Sequence, residues 1–153
     1  MTDEEYMRAA LCEARLAADE GETPVGAVIV RNGEIIASAH NTRERSKNAL
    51  HHAEMLCIDE ACRRLGGWRL PGCTLYVTLE PCPMCAGAVI NSRIVRVVFG
   101  APDAKAGSFG SVTDLSSLPY NHRPEIKGGV LADECAGILS DFFTDLRAKS
   151  KEK

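Results

Sequence analysis

The 153-residue chain lacks several things, and each absence closes off a class of protein. It has no run of about 20 apolar residues, the length a membrane-spanning helix needs, so no transmembrane segment is expected. Its N-terminus opens with Thr2-Asp3-Glu4-Glu5, acidic and without an apolar stretch, so no secretory signal is expected and a cytoplasmic location is. It has no repeat, low-complexity tract or linker, so residues 1–153 read as one domain, and 45% hydrophobic content is enough for one substantial core. It lacks an excess of basic charge: the net charge of −3 argues against a general nucleic-acid binder. It also lacks an even cysteine count. Seven cysteines do not make a complete disulfide framework, and disulfides are rare in the cytosol. Cys12, Cys57, Cys62, Cys73 and Cys135 read as small core hydrophobes, which leaves Cys82 and Cys85 for another task.

The charge is unevenly spread. Residues 1–22 carry seven acids and two bases, which leaves the rest of the chain at +2. Bases gather in Arg43–Lys47, at Arg93 and Arg96, and in the tail at Arg147, Lys149, Lys151 and Lys153. A local basic surface on an acidic protein is compatible with one particular RNA partner, and equally with ordinary solvated surface.

Periodicity supplies the elements. Thr2-x-x-Glu5 predicts a capped helix to about Glu20, with Met7, Ala10, Leu11, Ala14, Ala17 and Ala18 on its apolar face and Gly21 as its stop. Val25–Val30 and Glu34–His40 predict a hairpin through Asn32-Gly33, and a polar loop follows over 41–50. A helix over 52–65 is expected to turn Met55, Leu56, Ile58, Cys62 and Leu65 inward before Gly66-Gly67. Cys73–Leu79 predicts a central strand, Pro83 opens a helix to Asn91, and Arg93–Phe99 predicts a second strand by a parallel crossover. A long loop over 101–120, an edge strand at Glu125–Val130 and a helix over Ala132–Arg147 complete the order, with residues 148–153 fraying. In that last helix Cys135, Ile138, Leu139, Phe142 and Phe143 are expected inward, the two phenylalanines lying about 100° apart so that at least one packs in the core. The expected fold is α/β: a three-layer α/β/α domain around a five-stranded mixed sheet.

Two stretches carry chemistry, His51-His52-Ala53-Glu54 and Pro81-Cys82-Pro83-Met84-Cys85. His52, Cys82 and Cys85 offer three zinc ligands, and three protein ligands leave a fourth tetrahedral position for water, the pattern of a catalytic zinc. Zinc lowers the pKa of such a water from ~16 to about 7. Glu54, two residues past the ligand, is placed to carry protons. A structural site closed by Cys57 or His51, or a redox C-x-x-C, stays open on spacing alone.

The pattern H-A-E followed by P-C-x-x-C is the signature of the zinc nucleobase deaminases. Beyond it, the chain resembles the bacterial tRNA adenosine deaminases of the cytidine-deaminase superfamily over roughly residues 5–147. The resemblance rests on Pro24–Val28, Asn41, Trp68-Arg69-Leu70, Thr74–Cys82, Ser92-Arg93-Ile94, Gly100-Ala101-x-Asp103-x-Lys105, Asn121-His122-Arg123 and Phe142-Phe143. It implies one zinc per subunit, a homodimer, and deamination of the wobble adenosine in a tRNA anticodon stem-loop to inosine. It places Asn41 against the base, Val25 in the pocket wall and Asp103 near the ribose. Lys105, Asn121, His122 and Arg123 become substrate contacts, and Phe143 or Phe142 stacks near the anticodon loop. Glu80, picked out only by the family pattern, reads as structural. The chain departs from the family at His51, where a small residue is usual, and at Ser46–Leu50, which lacks Asp-Pro-Thr. The last helix, Phe-Phe-Thr-Asp-Leu-Arg, has fewer bases than some members have. A deaminase of a free nucleobase or nucleoside (guanine, cytosine or cytidine), a catalytically dead zinc protein, and an editing enzyme of wider RNA range are the competing readings.

Overall fold

The computed structural model describes residues 1–151. Eight of its elements form the frame: α1 (Asp3–Asp19), β1 (Gly26–Arg31), β2 (Glu34–His40), α3 (Ala53–Leu65), β3 (Cys73–Leu79), α4 (Pro83–Ser92), β4 (Arg96–Ala101) and α5 (Ala132–Lys151). A short helix, α2 (Arg43–Ser46), and a short strand, β5 (Glu125–Lys127), are added to it. The sheet order is β2-β1-β3-β4-β5. β1 is antiparallel to both neighbours, while β3–β4 and β4–β5 are parallel. The five-stranded mixed sheet is therefore as the sequence predicts.

Strand alternation sorts the core into two layers. Ala27, Ile29, Leu75, Val77, Val97 and Phe99 pack with Ala53, Cys57, Ala61, Ala86 and Val89 of α3 and α4. Val28, Val30, Tyr76 and Val98 face the other way, onto Tyr6, Met7, Ala10 and Leu11 of α1 and Cys135 of α5. Each fully buried aliphatic side chain contributes roughly 1.5–3 kcal/mol. Thr2 caps α1 as expected, its hydroxyl accepting the Glu5 N–H at 3.2 Å. Asp3 then ties the helix to the sheet. Its carboxylate accepts from the Tyr76 hydroxyl (2.7 Å), both Arg96 terminal nitrogens (2.9 and 2.8 Å) and Lys127 (3.0 Å).

The differences from the predicted elements are local. The 41–50 loop contains α2, because the buried Glu22 carboxylate accepts the Glu44 and Arg45 N–H groups at 2.9 and 2.6 Å and so caps the turn. On α3 the buried face is Ala53, Glu54, Cys57, Ile58 and Ala61; Met55 and Leu56 are half-buried. Small side chains let the helix lie close on the sheet, and the larger ones flank the contact. β4 starts at Arg96, since Arg93 takes a left-handed conformation (φ 64°) to close α4. β5 stops at Lys127, because Gly128 lies against the Phe99 ring, where a Cβ would sit 2.4 Å from Cζ. α5 is helical through Lys151, past the point where fraying is predicted; residues 152 and 153 lie outside the described residues. Phe143 is 41% exposed rather than inward, and Cys12 is on the surface of α1 rather than in the core.

Candidate active site

The antiparallel β1 begins, and β2 ends, at the same edge of the sheet where the parallel β3 and β4 finish. α3 and α4 both start there. His52 is the N-cap of α3 and Cys82 the N-cap of α4, each in extended backbone conformation. The partial positive charge and free N–H groups of two helix starts thus meet beyond the strand ends.

His52, Cys82 and Cys85 converge, their donor atoms all within 4.8 Å of one another. His52 Nδ1 is 3.6 Å from each cysteine sulfur. The fit to zinc is testable on these numbers. With Zn–S about 2.3 Å and Zn–N about 2.0–2.1 Å, a tetrahedral ion has N···S edges of about 3.6 Å. No other His, Cys, Asp or Glu joins the group among the described residues. The Cys57 thiol donates instead to the Ala27 carbonyl in the core, at 3.7 Å. His51 stands outside the group, its Nδ1 buried without a hydrogen-bond partner among the described residues. Three donors with one side open is the arrangement a catalytic zinc requires.

The three donors are electrostatically coupled. The Cys85 thiol donates to Cys82 and, helped by His52 and against burial, holds the Cys82 sulfur as thiolate down to about pH 4. Cys85 is correspondingly pushed far up, first by that same bond and then by burial. The Cys82 sulfur in turn raises His52. Glu54, 4% exposed, sits in the first turn of α3 beside Cys85. Burial lifts its carboxyl to about 7, against the pull of the His52 charge, which puts it where a proton carrier works best near neutral pH.

A cavity of about 230 Å³ opens above these groups, lined in part by His52, Glu54 and Cys82. That is below the ~300–1,000 Å³ common for drug-sized ligands, and suits a single planar base. Val25, Asn41, Asp103 and Ala106 also line it. Asn41 is fixed at both ends of its amide: Nδ2 donates to the Thr23 carbonyl (3.2 Å) and Oδ1 accepts the Arg43 N–H (3.1 Å). Asp103 Oδ1 accepts the Lys105 and Ala106 N–H groups at 3.0 and 3.3 Å. Lys105 therefore stands next to the mouth but is not part of the lining. Asn121, His122, Arg123 and Phe143 are not brought to the cavity; His122 Nε2 lies 2.7 Å from the Ile94 carbonyl, and Phe143 is on the far part of α5. Sequence reasoning missed Arg43, Thr23, Leu79 and Ala106, all of which line the cavity, and gave Glu80 there only a structural part. The nearest signal for Arg43 was its place two residues after Asn41.

An open three-donor metal site with a buried carboxylate beside it, in a base-sized cavity at the strand ends of an α/β/α domain, defines a hydrolytic deaminase of bases or nucleosides. Comparison with known proteins narrows this. The family model described as MafB19-like deaminase matches residues 1–147, and the chain belongs to that family, on the branch of the tRNA adenosine deaminases. It is 58% identical over 150 residues to a tRNA-specific adenosine deaminase of Bacillus subtilis (strain 168), covering 97% of this chain and 93% of that one. The tRNA-specific adenosine deaminase of Aquifex aeolicus (strain VF5) is 49% identical over 96% of this chain and 97% of its own. A solved structure from work on A-to-I editing by tRNA:A34 deaminases superposes with a TM-score of 0.86 at 43% identity, covering 88% of this chain and 99% of that one.

Proposed function

We propose that this chain deaminates adenosine to inosine at the wobble position of a tRNA anticodon. The observation that carries the reading is the convergence of His52, Cys82 and Cys85 beside the buried Glu54 at the floor of a base-sized cavity. The relatives' names supply the substrate class. Zinc held by the three donors supplies, when bound, a coordinated water acidic enough to act as nucleophile at neutral pH.

The chain's own residues do the rest. Glu54 accepts a proton from the attacking water and delivers it to N1 of the purine. The same carboxylate then takes the second proton, from the hydroxyl now on C6, and passes it to the departing amine, so that adenosine and water become inosine and ammonia. One group can act as base and then as acid twice over because each delivery returns it to the carboxylate form. Asn41 keeps one amide hydrogen beyond its bond to Thr23, available to an acceptor on the base edge. Asp103 keeps Oδ2 outside its turn-closing bonds, available to a ribose hydroxyl. The wall of the cavity formed by Val25 and Leu79 packs the ring. The base enters unstacked, so the substrate is a loop and not a duplex. Arg43 and Lys105 at the mouth, with Asn121–Arg123 and Phe143 further out, serve the flanking nucleotides.

The working form is a homodimer in the cytoplasm. Val112, Leu118 and Tyr120 are exposed on the 101–120 segment and fit a protein interface. No helix among the described residues is long and apolar enough to cross a membrane.

The deciding experiment gives zinc-loaded protein an anticodon stem-loop with adenosine at the wobble position, the same loop with cytidine there, and free adenosine, adenine, guanine and cytosine. Inosine formed only in the adenosine loop supports the assignment. Turnover of a free base or nucleoside, with none on RNA, keeps the deaminase and discards the tRNA.

A further inference from the structure

Glu80 follows the last residue of β3 and is 2% exposed. A buried carboxylate needs donors, and none of those it finds belongs to a cation. Oε1 accepts the Asp103 N–H at 3.0 Å, and Oε2 accepts the Phe109 and Ser111 N–H groups at 3.1 Å each. The Ser111 hydroxyl also donates to Oε1. Three of the four donors are backbone N–H groups, which can only donate, so the partner must be a group that only accepts. An ionised carboxylate offers about four such acceptor positions, whereas an amide would turn an N–H toward an N–H. Gly107, between these anchor points, lies so close that a Cβ there would sit 2.3–2.4 Å from the carboxylate carbon and both oxygens. The loop is wrapped around this one group. Its first anchor, Asp103, and the neighbouring Ala106 form a wall of the cavity, and Glu80 itself reaches the lining.

We propose that Glu80 is a positioning residue for substrate: its carboxylate gathers the Asp103, Phe109 and Ser111 N–H groups and holds the 103–111 loop as the wall on which the RNA nucleotide is seated. This rests on the tRNA deaminase reading above. Glu80 takes no part in proton transfer, which belongs to Glu54. Its effect reaches substrate through Asp103, so the two residues act as a unit on binding.

The test uses zinc-loaded protein and the adenosine anticodon stem-loop, with rates expressed per bound zinc. Glu80→Gln is expected to raise KM about tenfold or more while kcat per zinc changes less than threefold. A double-mutant cycle with Asp103→Ala is expected to be strongly non-additive, because the second change removes a contact the first has already displaced. Amide exchange of Asp103, Phe109 and Ser111 is expected to quicken in Glu80→Gln. Ser111→Ala, which removes the one side-chain donor to Glu80, provides a milder variant should Glu80→Gln fail to fold, with KM expected to rise about threefold. Unchanged KM in a folded variant, a loss confined to kcat, or additive effects with Asp103→Ala would overturn the proposal. Wild-type protein that does not act on the stem-loop would instead overturn the functional reading beneath it.

Discussion

The Glu54 carboxyl is buried where a charge is costly, and burial raises its pKa. Glu54→Gln keeps the shape and removes the proton. The variant is expected to bind one zinc per chain and to lose ~10²–10⁴-fold in single-turnover inosine formation, the usual worth of a positioned acid–base group. Turnover within tenfold of wild type would assign the proton work elsewhere. Arg43 presents a different test. Its guanidinium is half exposed at the cavity mouth, and among the described residues its one acidic partner is Glu44, 3.6 Å away. Arg43→Ala is expected to raise KM for the stem-loop and to flatten its salt dependence, with kcat little changed, because a surface guanidinium acts on phosphate rather than on the reacting atoms.

At the scale of elements, two carboxylate clusters fix α1. Asp3 joins its N-terminus to β3, β4 and β5 through Tyr76, Arg96 and Lys127, and the Arg96 bond holds the Asp3 carboxyl well below the usual range. Asp3→Ala is expected to lower unfolding free energy in urea by ~1–2 kcal/mol, the order expected for losing charge-assisted hydrogen bonds that water partly reaches. Further along, His40 at the end of β2 bridges Glu13 (2.8 Å) and Glu20 (3.0 Å) of α1 and its C-cap. Burial lowers its pKa, but the two carboxylates more than offset this and the net shift is upward from 6.5. A histidine raised on folding adds stability below its unfolded value and loses it as pH rises through the folded one. The difference in melting temperature between wild type and His40→Gln is therefore expected to be larger at pH 5.5 than at pH 8.5; an equal difference at both would remove the charge from the explanation. Hairpin and helix caps of this part of the chain were legible in the sequence, since Thr2-x-x-Glu5 and Asn32-Gly33 act over a few residues. The Asp3 and His40 clusters were not, because their partners lie 20 to 124 residues away.

At the scale of the molecule, the metal site joins two helix starts that come from separate crossovers. A metal ion held by these donors would link α3 to α4 across the sheet end and so couple metal binding to folding. Chelation is expected to lower the melting temperature of wild type. Cys82→Ser is expected to lose the metal and melt near the chelated protein, and full zinc occupancy in that variant would reassign the ligands.

The sequence by itself determined which residues could gather as metal donors. Cys82 and Cys85 are three apart on one helix start, and His52 and Glu54 share the first turn of another, so local spacing fixes which residues can act together. The order of helices and apolar strands likewise determined a mixed sheet covered on both faces. Only the tertiary structure decided the cavity around them. Thr23, Arg43, Leu79 and Ala106 meet there because β1, β2, β3 and β4 bring their ends to one edge. Glu22 and Glu80 read as ordinary acids in the sequence, yet each organises a loop that shapes this cavity. All their partners but the Ser111 hydroxyl are backbone N–H groups, which every residue but proline carries, so no side-chain pattern marks them until the chain has folded.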